Sequence, residues 1–296
     1  MTADARPHAA GSGPRPIARL SEIAGAYDVF LVDQWGVLHD GVALYPGAQD
    51  ALADLMAHGK RVVLLTNSSK TVAVNEARLA TRFGVGRASY HALVSSAELL
   101  RDALAARAAR AGVRVFCVAD AGDEVLLDGV GCTRVDDPAE ADCVVLLSVA
   151  PGEGLDEHRG WLERARVAGR PLLSPSADAL SVSATRGVVA GLAAIVAAYA
   201  AGGGPCVNFG KPEGAVYDAA LAGLDVPPER VLMIGDQLES DVAGARRRGF
   251  ASCLVLTGAG AARVGATEPR TACRVLAGPN VPEALRPTYV APSMAF

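Results

Sequence analysis

The sequence predicts an α/β protein: a doubly wound parallel sheet with a second α/β unit, a cap, inserted into it. Two observations predict this. Short runs rich in Val, Leu and Ile alternate with helix-period segments, the signature of parallel strands joined by crossover helices, and the alternation restarts in mid-chain before the first series resumes. The chain has 296 residues, 51% of them hydrophobic, enough to bury two cores.

The first series runs "DVFLVD" then "GAQDALADLMAHG", "RVVLLTN" then "VNEARLATRFG", and "HALVS" then a helix from a capping box Ser95-x-x-Glu98 to Arg110. It resumes with "PCVNFG" before a helix to about Leu224, "VLMIGD" before "ESDVAGARRRGF", and the buried strand "ASCLVLTG". Between them come "VRVFCVAD", "CVVLLSV", a helix around Trp161 and "PLLSPSAD". These patterns divide the chain into a flexible tail (1–17), a core (18–111 and 205–296) and a cap (112–204).

Net charge is −4 with dispersed cations, so the chain lacks the basic footprint of a nucleic-acid binder. The six cysteines have no CxxC pair and several sit in apolar runs, which reads as reduced core thiols in a cytoplasmic protein. The N-terminal residues have no signal-peptide apolar region. "GVVAGLAAIVAAYAAGGG", from Gly187, is too short and glycine-punctuated for a membrane span and is expected as a buried helix. Apolar cap surface leaves room for a homodimer. Small, soluble partners fit this charge balance, with no nucleic acid and no membrane.

In an open parallel sheet, ligands bind beyond the carboxyl ends of the strands, where strand order reverses. Four polar clusters fall at such ends: Asp33, Thr66-Asn67-Ser68, Lys211, and Asp236 with Asp241 five residues on. Singly each is ordinary turn chemistry. Jointly, each on its own strand of one sheet, they would gather acids, a hydroxyl, loop amides and an ammonium. Clustered carboxylates beside one lysine stay ionised together only if a cation joins them, and hard oxygen ligands suit Mg²⁺. Thr66, the loop N–H groups around Asn67 and Gly36, and Lys211 are complementary to phosphoryl oxygens. A carboxylate facing a phosphorus held this way can act as a covalent nucleophile.

The set Asp33-Gln34-Trp35-Gly36-Val37-Leu38, Leu65-Thr66-Asn67-Ser68, Gly210-Lys211-Pro212 and Gly235-Asp236-x-x-x-x-Asp241 resembles the four motifs of the haloacid dehalogenase (HAD) superfamily of aspartate-nucleophile enzymes. The "TNSS" and "GKP" wording and the long insertion resemble its NagD-like class IIA branch. That resemblance covers nearly the whole chain beyond the tail. It implies Asp33 as nucleophile, Thr66 and Asn67 as phosphate contacts, and Lys211 as the residue that neutralises nucleophile and phosphate. It further implies Mg²⁺ held by Asp33, Asp236 and the main-chain carbonyl of Trp35, with Asp241 in support. Asp178, in "SPSAD", falls where related caps carry an active-site turn, and is either a substrate contact or a plain turn residue.

Most phosphatases of this family carry a second Asp where Trp35 stands, to protonate the leaving oxygen and later activate water. Indole, a weak N–H donor, does neither. Losing general acid–base help costs about 10²–10⁴-fold in rate. Three escapes are a substrate with a good leaving group such as an acyl phosphate, a substitute acid from His39 or Asp40, or binding without turnover. The expected function is thus a slow Mg²⁺-dependent phosphatase. Its alternatives are a non-catalytic phosphoryl-ligand binding or interaction protein, or a dehalogenase-type hydrolase, which would leave Asp236 without a task. Arg246-Arg247-Arg248 at a helix end is expected to be solvated, and Trp161 to be core.

Overall fold

The computed structural model of the chain describes residues 13–150, 152–178, 180–183 and 187–296. Most of the expected tail lies outside these residues, but its end does not behave as a tail. Arg15–Pro16 pairs in parallel with Tyr289–Ala291 as an edge strand, and Ile17 is buried. Two residues suffice because the neighbouring strand is already held on its other side.

Among the described residues, the larger sheet has seven parallel strands in the order Arg15–Pro16, Tyr289–Ala291, Ala251–Val255, Val231–Gly235, Val29–Asp33, Arg61–Thr66, Ala92–Ser95. Chain order reverses between Val29–Asp33 and Val231–Gly235, so a crevice opens beyond their carboxyl ends. The strand Val29–Asp33 shows how such a sheet is held. Phe30 and Val32 pack into one apolar cluster with Ala51, Leu52 and Leu55 of the helix Ala48–Ala57. Val29 and Leu31, the alternate positions, pack into another with Val216, Tyr217 and Ala220 of the helix Gly214–Ala220. A strand buried on both faces reads as a continuous apolar run.

A second parallel sheet follows the order Cys206–Asn208, Leu172–Ser174, Cys143–Leu146, Val113–Val118, Cys132–Arg134. One face is covered by Leu100 and Leu104 of the helix Ser96–Ala111, the other by Trp161, Leu162, Ile195 and Tyr199. Trp161 is core, as its helical spacing indicated.

Several expectations need correction. Cys206–Asn208 joins the second sheet, so Lys211 does not follow a strand of the larger sheet and the four motifs do not each end a strand of one sheet. The helix Ser96–Ala111, expected in the core, covers the second sheet with its apolar face. Both errors have one cause: a strand or helix carries no local mark of which sheet will bury it. The capping box does not form. Ser95 Oγ donates to the Lys70 carbonyl (2.6 Å) and Glu98 Oε2 accepts from the Val72 N–H (3.0 Å), because the adjoining loop offers both groups partners. The apolar stretch from Gly187 is helical only over Ala193–Ala201. Its first residues, Gly187–Ala190, pair antiparallel with Leu180–Ser183. Arg246 and Arg247 are exposed, as expected at a helix end, and Arg246, Arg247 and Arg248 make surface ion pairs with Glu283, Glu213 and Asp218 respectively. No helix among the described residues is long and apolar enough to cross a membrane.

Candidate active site

Asp33 ends its strand at the chain reversal, and Asp236 follows the end of the adjacent one. Lys211 reaches the same point from the linker that returns from the second sheet. It is almost wholly buried, with Nζ 2.8 Å from Asp33 Oδ1 and 2.7 Å from Asp241 Oδ1. Burial works against the ammonium, but the charges of Asp241 and Asp33 outweigh it and Lys211 holds its proton more tightly than usual. Asp33 Oδ1 also accepts from the Gln34 N–H (2.8 Å), leaving Oδ2 without a hydrogen bond among the described residues.

Asp241 is a brace. Its Oδ1 takes Lys211 and its Oδ2 accepts the N–H groups of Asp236 (3.1 Å) and Gln237 (3.0 Å). It fits so tightly under the strand that a Cβ on Gly235 would lie 2.1 Å from its Cγ. Asp236 is held from the opposite side. Oδ2 accepts from the Ala259 N–H (2.7 Å), while Oδ1 is buried with no partner. Gly36 was expected to offer its N–H to phosphate, but that N–H donates to the His39 carbonyl (3.0 Å). The requirement for glycine there is steric. With φ of 85°, an added Cβ would fall 2.1 Å from Asp236 Oδ2.

Asp33, Asp236 and Asp241 each bring a carboxylate oxygen within 4.8 Å of the others. One ammonium cannot balance three buried carboxylates. Burial, with Asp241 adding to it against Lys211, pushes Asp33 up to about 7. Burial and the charges of Asp33 and Asp241 drive Asp236 well above the usual carboxylate range. The unmatched Asp236 oxygen and this excess of negative charge fit a divalent cation at the point where the Asp33, Asp236 and Asp241 oxygens gather.

Thr66 is buried, and its Oγ1 accepts from the Ser68 N–H (3.2 Å). The Asn67 side chain is fully engaged: Nδ2 donates to the Lys211 carbonyl (3.0 Å) and to both oxygens of Asp178 (3.2 and 3.0 Å), and Oδ1 accepts the Lys211 N–H (2.8 Å). What Asn67 can offer a phosphate is its main-chain N–H. Gly210 makes this clamp possible, since a Cβ there would meet Pro175 O at 2.2 Å and Asn67 Oδ1 at 2.3 Å. Asp178 also accepts from Ser176 Oγ (2.9 Å), and burial raises its carboxyl above the ordinary value. It is thus no isolated turn residue; it ties the cap to the core beside Lys211.

Trp35 is packed, not idle. Its ring lies against Gly41, where a Cβ would come within 2.2 Å of it; the Arg78 guanidinium stands 5.0 Å from its centroid and the His39 ring meets it edge-on at 4.9 Å. Neither proposed substitute acid survives. His39 is buried and stacked on Phe83 (4.4 Å), its Nδ1 accepts the Gly41 N–H (3.1 Å), and burial with the nearby Arg78 lowers it to about 4. At neutral pH it has no proton of the right acidity to give. Asp40 closes its own turn, accepting the Ala43 and Val42 N–H groups (2.7 and 2.8 Å), which hold the carboxyl low and ionised.

Sequence reasoning missed the fourth wall. Thr257 Oγ1 donates to the Gly36 carbonyl (2.5 Å), and Gly258 lies so close that a Cβ would meet Asp236 Oδ2 at 2.3 Å. The signal was present: Thr257-Gly258 closely follows the strand Ala251–Val255, by the same rule that singled out Asp33.

Comparison with known proteins agrees with this geometry. The family described as Haloacid dehalogenase-like hydrolase matches residues 30–133, and a related HAD-hydrolase-like family matches residues 208–295. Haloacid dehalogenase-like hydrolase domain-containing protein 2 of Bos taurus is 30% identical over 237 residues, 79% of this chain and 85% of that one. D-glycerol 3-phosphate phosphatase of Mycobacterium tuberculosis is 30% identical over 259 residues, 82% of this chain and 67% of that one. Among solved structures, a haloacid dehalogenase-like hydrolase from Brucella suis superposes with a TM-score of 0.79 at 25% identity, covering 94% of this chain and 100% of its own. A glycerol phosphate phosphatase from Mycobacterium tuberculosis in complex with magnesium superposes at 0.65 and 26% identity, covering 92% and 76%. With these matches spanning most of the chain and agreeing with its capped parallel sheet, the chain belongs to the haloacid dehalogenase-like hydrolase family, in its NagD-like branch.

Proposed function

We propose that the chain is a Mg²⁺-dependent phosphatase that hydrolyses a small phosphorylated metabolite through an aspartyl-phosphate on Asp33. The observation that carries this is the Asp33 carboxylate, with one oxygen fixed by Lys211 and the other unbonded, beside the unmatched Asp236 oxygen. The similarity to phosphatases named for glycerol phosphate supports the substrate class. Bound Mg²⁺, held by Asp33, Asp236 and the Trp35 carbonyl, would supply Lewis-acid contact to the phosphoryl oxygens.

The chain's own groups do the rest. Lys211, braced by Asp241, favours the ionised form of Asp33 against its burial and faces the phosphoryl charge. Thr66 Oγ and the Asn67 N–H orient the phosphoryl group. Asp33 Oδ2 attacks phosphorus as the bond to the leaving oxygen breaks, and water later releases phosphate. The second sheet acts as the cap that selects the leaving group, with Asp178 the residue placed to contact it. With Trp35, His39 and Asp40 all unable to deliver a proton, substrates with good leaving groups should be favoured. p-Nitrophenyl phosphate hydrolysis, with and without Mg²⁺ and beside Asp33→Asn, tests the proposal. Trp35 favours one rival, phosphoryl-ligand binding without turnover, and equal near-zero rates for wild type and variant would select it.

Restoring an acid at position 35 should not by itself restore speed. Arg78 would face the new carboxylate and hold it ionised. Trp35→Asp is expected to change kcat on an alkyl phosphate by less than about 3-fold, and Trp35→Asp/Arg78→Gln to raise it by about 10²-fold, the lower end of general-acid help. Full acceleration in the single variant would show that Arg78 does not control the position.

Metal dependence should also appear in stability. Asp33 is raised to about 7 in the folded metal-free protein. A raised carboxyl contributes stability that is complete below its unfolded pKa and lost as pH rises through the folded value. The metal-free thermal midpoint should fall between about pH 5 and about pH 8, and Mg²⁺ should raise it more at the higher pH, where the carboxylates are ionised. Scanning fluorimetry reads this directly; an equal Mg²⁺ effect at both pH values would contradict the charge arrangement.

A further inference from the structure

The loop after Thr66 meets the cap twice. One contact is Asn67 with Asp178. The other uses residues that the chemistry above leaves aside. Lys70, one of only three lysines in the chain, pairs through Nζ with Asp123 Oδ1. Asp123 lies beyond the strand Val113–Val118 of the second sheet. Its other oxygen accepts Ser69 Oγ from the core loop and Ser148 Oγ from beyond the strand Cys143–Leu146, each at 2.7 Å. Asp123 is 9% exposed.

Lys70 is fixed at its other end as well. Its carbonyl accepts from Ser95 Oγ (2.6 Å) and Asn75 Nδ2 (3.0 Å), and its N–H donates to Ser68 Oγ (3.2 Å). The backbone therefore belongs to the core while the ammonium belongs to the cap. Burial alone would raise the Asp123 carboxyl, yet Lys70, Ser148 and Ser69 together hold it below its ordinary value. Separating the two sheets would take Lys70 and Ser69 from Asp123 and leave it only Ser148, a loss of charge-assisted hydrogen bonds that favours the closed network.

We propose that Lys70 and Asp123 are positioning residues whose ion pair, braced by Ser69 and Ser148, sets the Thr66–Ser68 loop against the cap. Phosphate capture by the loop and selection by the cap then share one tie. The proposal rests on the phosphatase reading for what the loop binds, but not for the tie itself. It predicts that either partner's loss loosens the loop more than it alters Asp33, so that binding suffers before chemistry.

The test uses full-length Lys70→Met, Asp123→Asn, their double variant and Lys70→Arg. Readouts are p-nitrophenyl phosphate kinetics with Mg²⁺ and amide hydrogen exchange across residues 66–72, with thermal unfolding to confirm that each variant folds. Each charge-removing single variant should lower kcat/KM about ten-fold, mainly through KM, with the double no worse than the poorer single. Lys70→Arg should stay within about three-fold of wild type. Exchange in the loop should quicken in both charge-removing variants while the strand Val29–Asp33 stays protected. Additive losses, or unchanged exchange in the loop, would overturn the proposal. If wild type hydrolyses nothing beyond Asp33→Asn, the phosphatase reading fails, and the exchange result still decides the tie.

Discussion

Asp33→Asn is expected to lower p-nitrophenyl phosphate turnover by about 10⁴-fold or more, because an amide cannot serve as the nucleophile. The same change should raise the thermal midpoint of the metal-free protein at about pH 8. The second effect follows from the charge count. Asp33 is buried beside Asp241 and Asp236, and Lys211 offsets only part of that burden, so its carboxyl is raised to about 7. Ionised Asp33 is therefore a cost to the fold at high pH, and the isosteric amide removes it while Asp241 still holds Lys211. Loss of activity with gain of stability is the mark of a group retained for chemistry. A variant that is both inactive and markedly less stable would mean Asp33 is a structural acid and the covalent route is wrong.

Lys211→Met should fail in both respects. The methionine fills similar space without charge, so Asp33 and Asp241 lose the ammonium at 2.8 and 2.7 Å. Removing one partner from a buried ionic group typically costs about 3–5 kcal/mol, because the remaining charge has neither water nor a counterion. Turnover should fall by about 10³-fold or more, since the nucleophile and the phosphoryl group would repel each other unscreened. The opposite signs of the stability changes in Asp33→Asn and Lys211→Met make one melting series at about pH 8 a test of the charge arrangement. The loss in Lys211→Met should shrink toward about pH 5, where Asp33, raised to about 7, is protonated. An undiminished loss at acid pH would point to packing as the cause.

Much of this site is legible without coordinates. A strand closing on an acid, another closing on Gly-Asp, a Thr-Asn-Ser turn and Gly-Lys-Pro identify the groups, because position at a strand's carboxyl end is a local property of the pattern. Which sheet receives a strand is not local. The run Cys206–Asn208 has the same apolar character as its neighbours, yet it pairs with Leu172–Ser174 and delivers Lys211 from the cap side. Trp35 illustrates the same divide. Its identity announces a missing acid, but only packing reveals that Arg78 and His39 occupy its surroundings and that His39 is held neutral there.

The chain's order of residues thus determined by itself the α/β class and the chemical types at the carboxyl ends of its strands. These depend on periodicity and on turn chemistry spanning a few residues. Tertiary structure alone decided the pairing of Lys211 with two acids, the unmatched oxygen of Asp236, the diversion of the Gly36 amide and Asn67 side chain, and the link from Lys70 to Asp123. Each of these joins segments far apart along the chain, and which donor finds which acceptor is settled only when burial removes water as the competing partner.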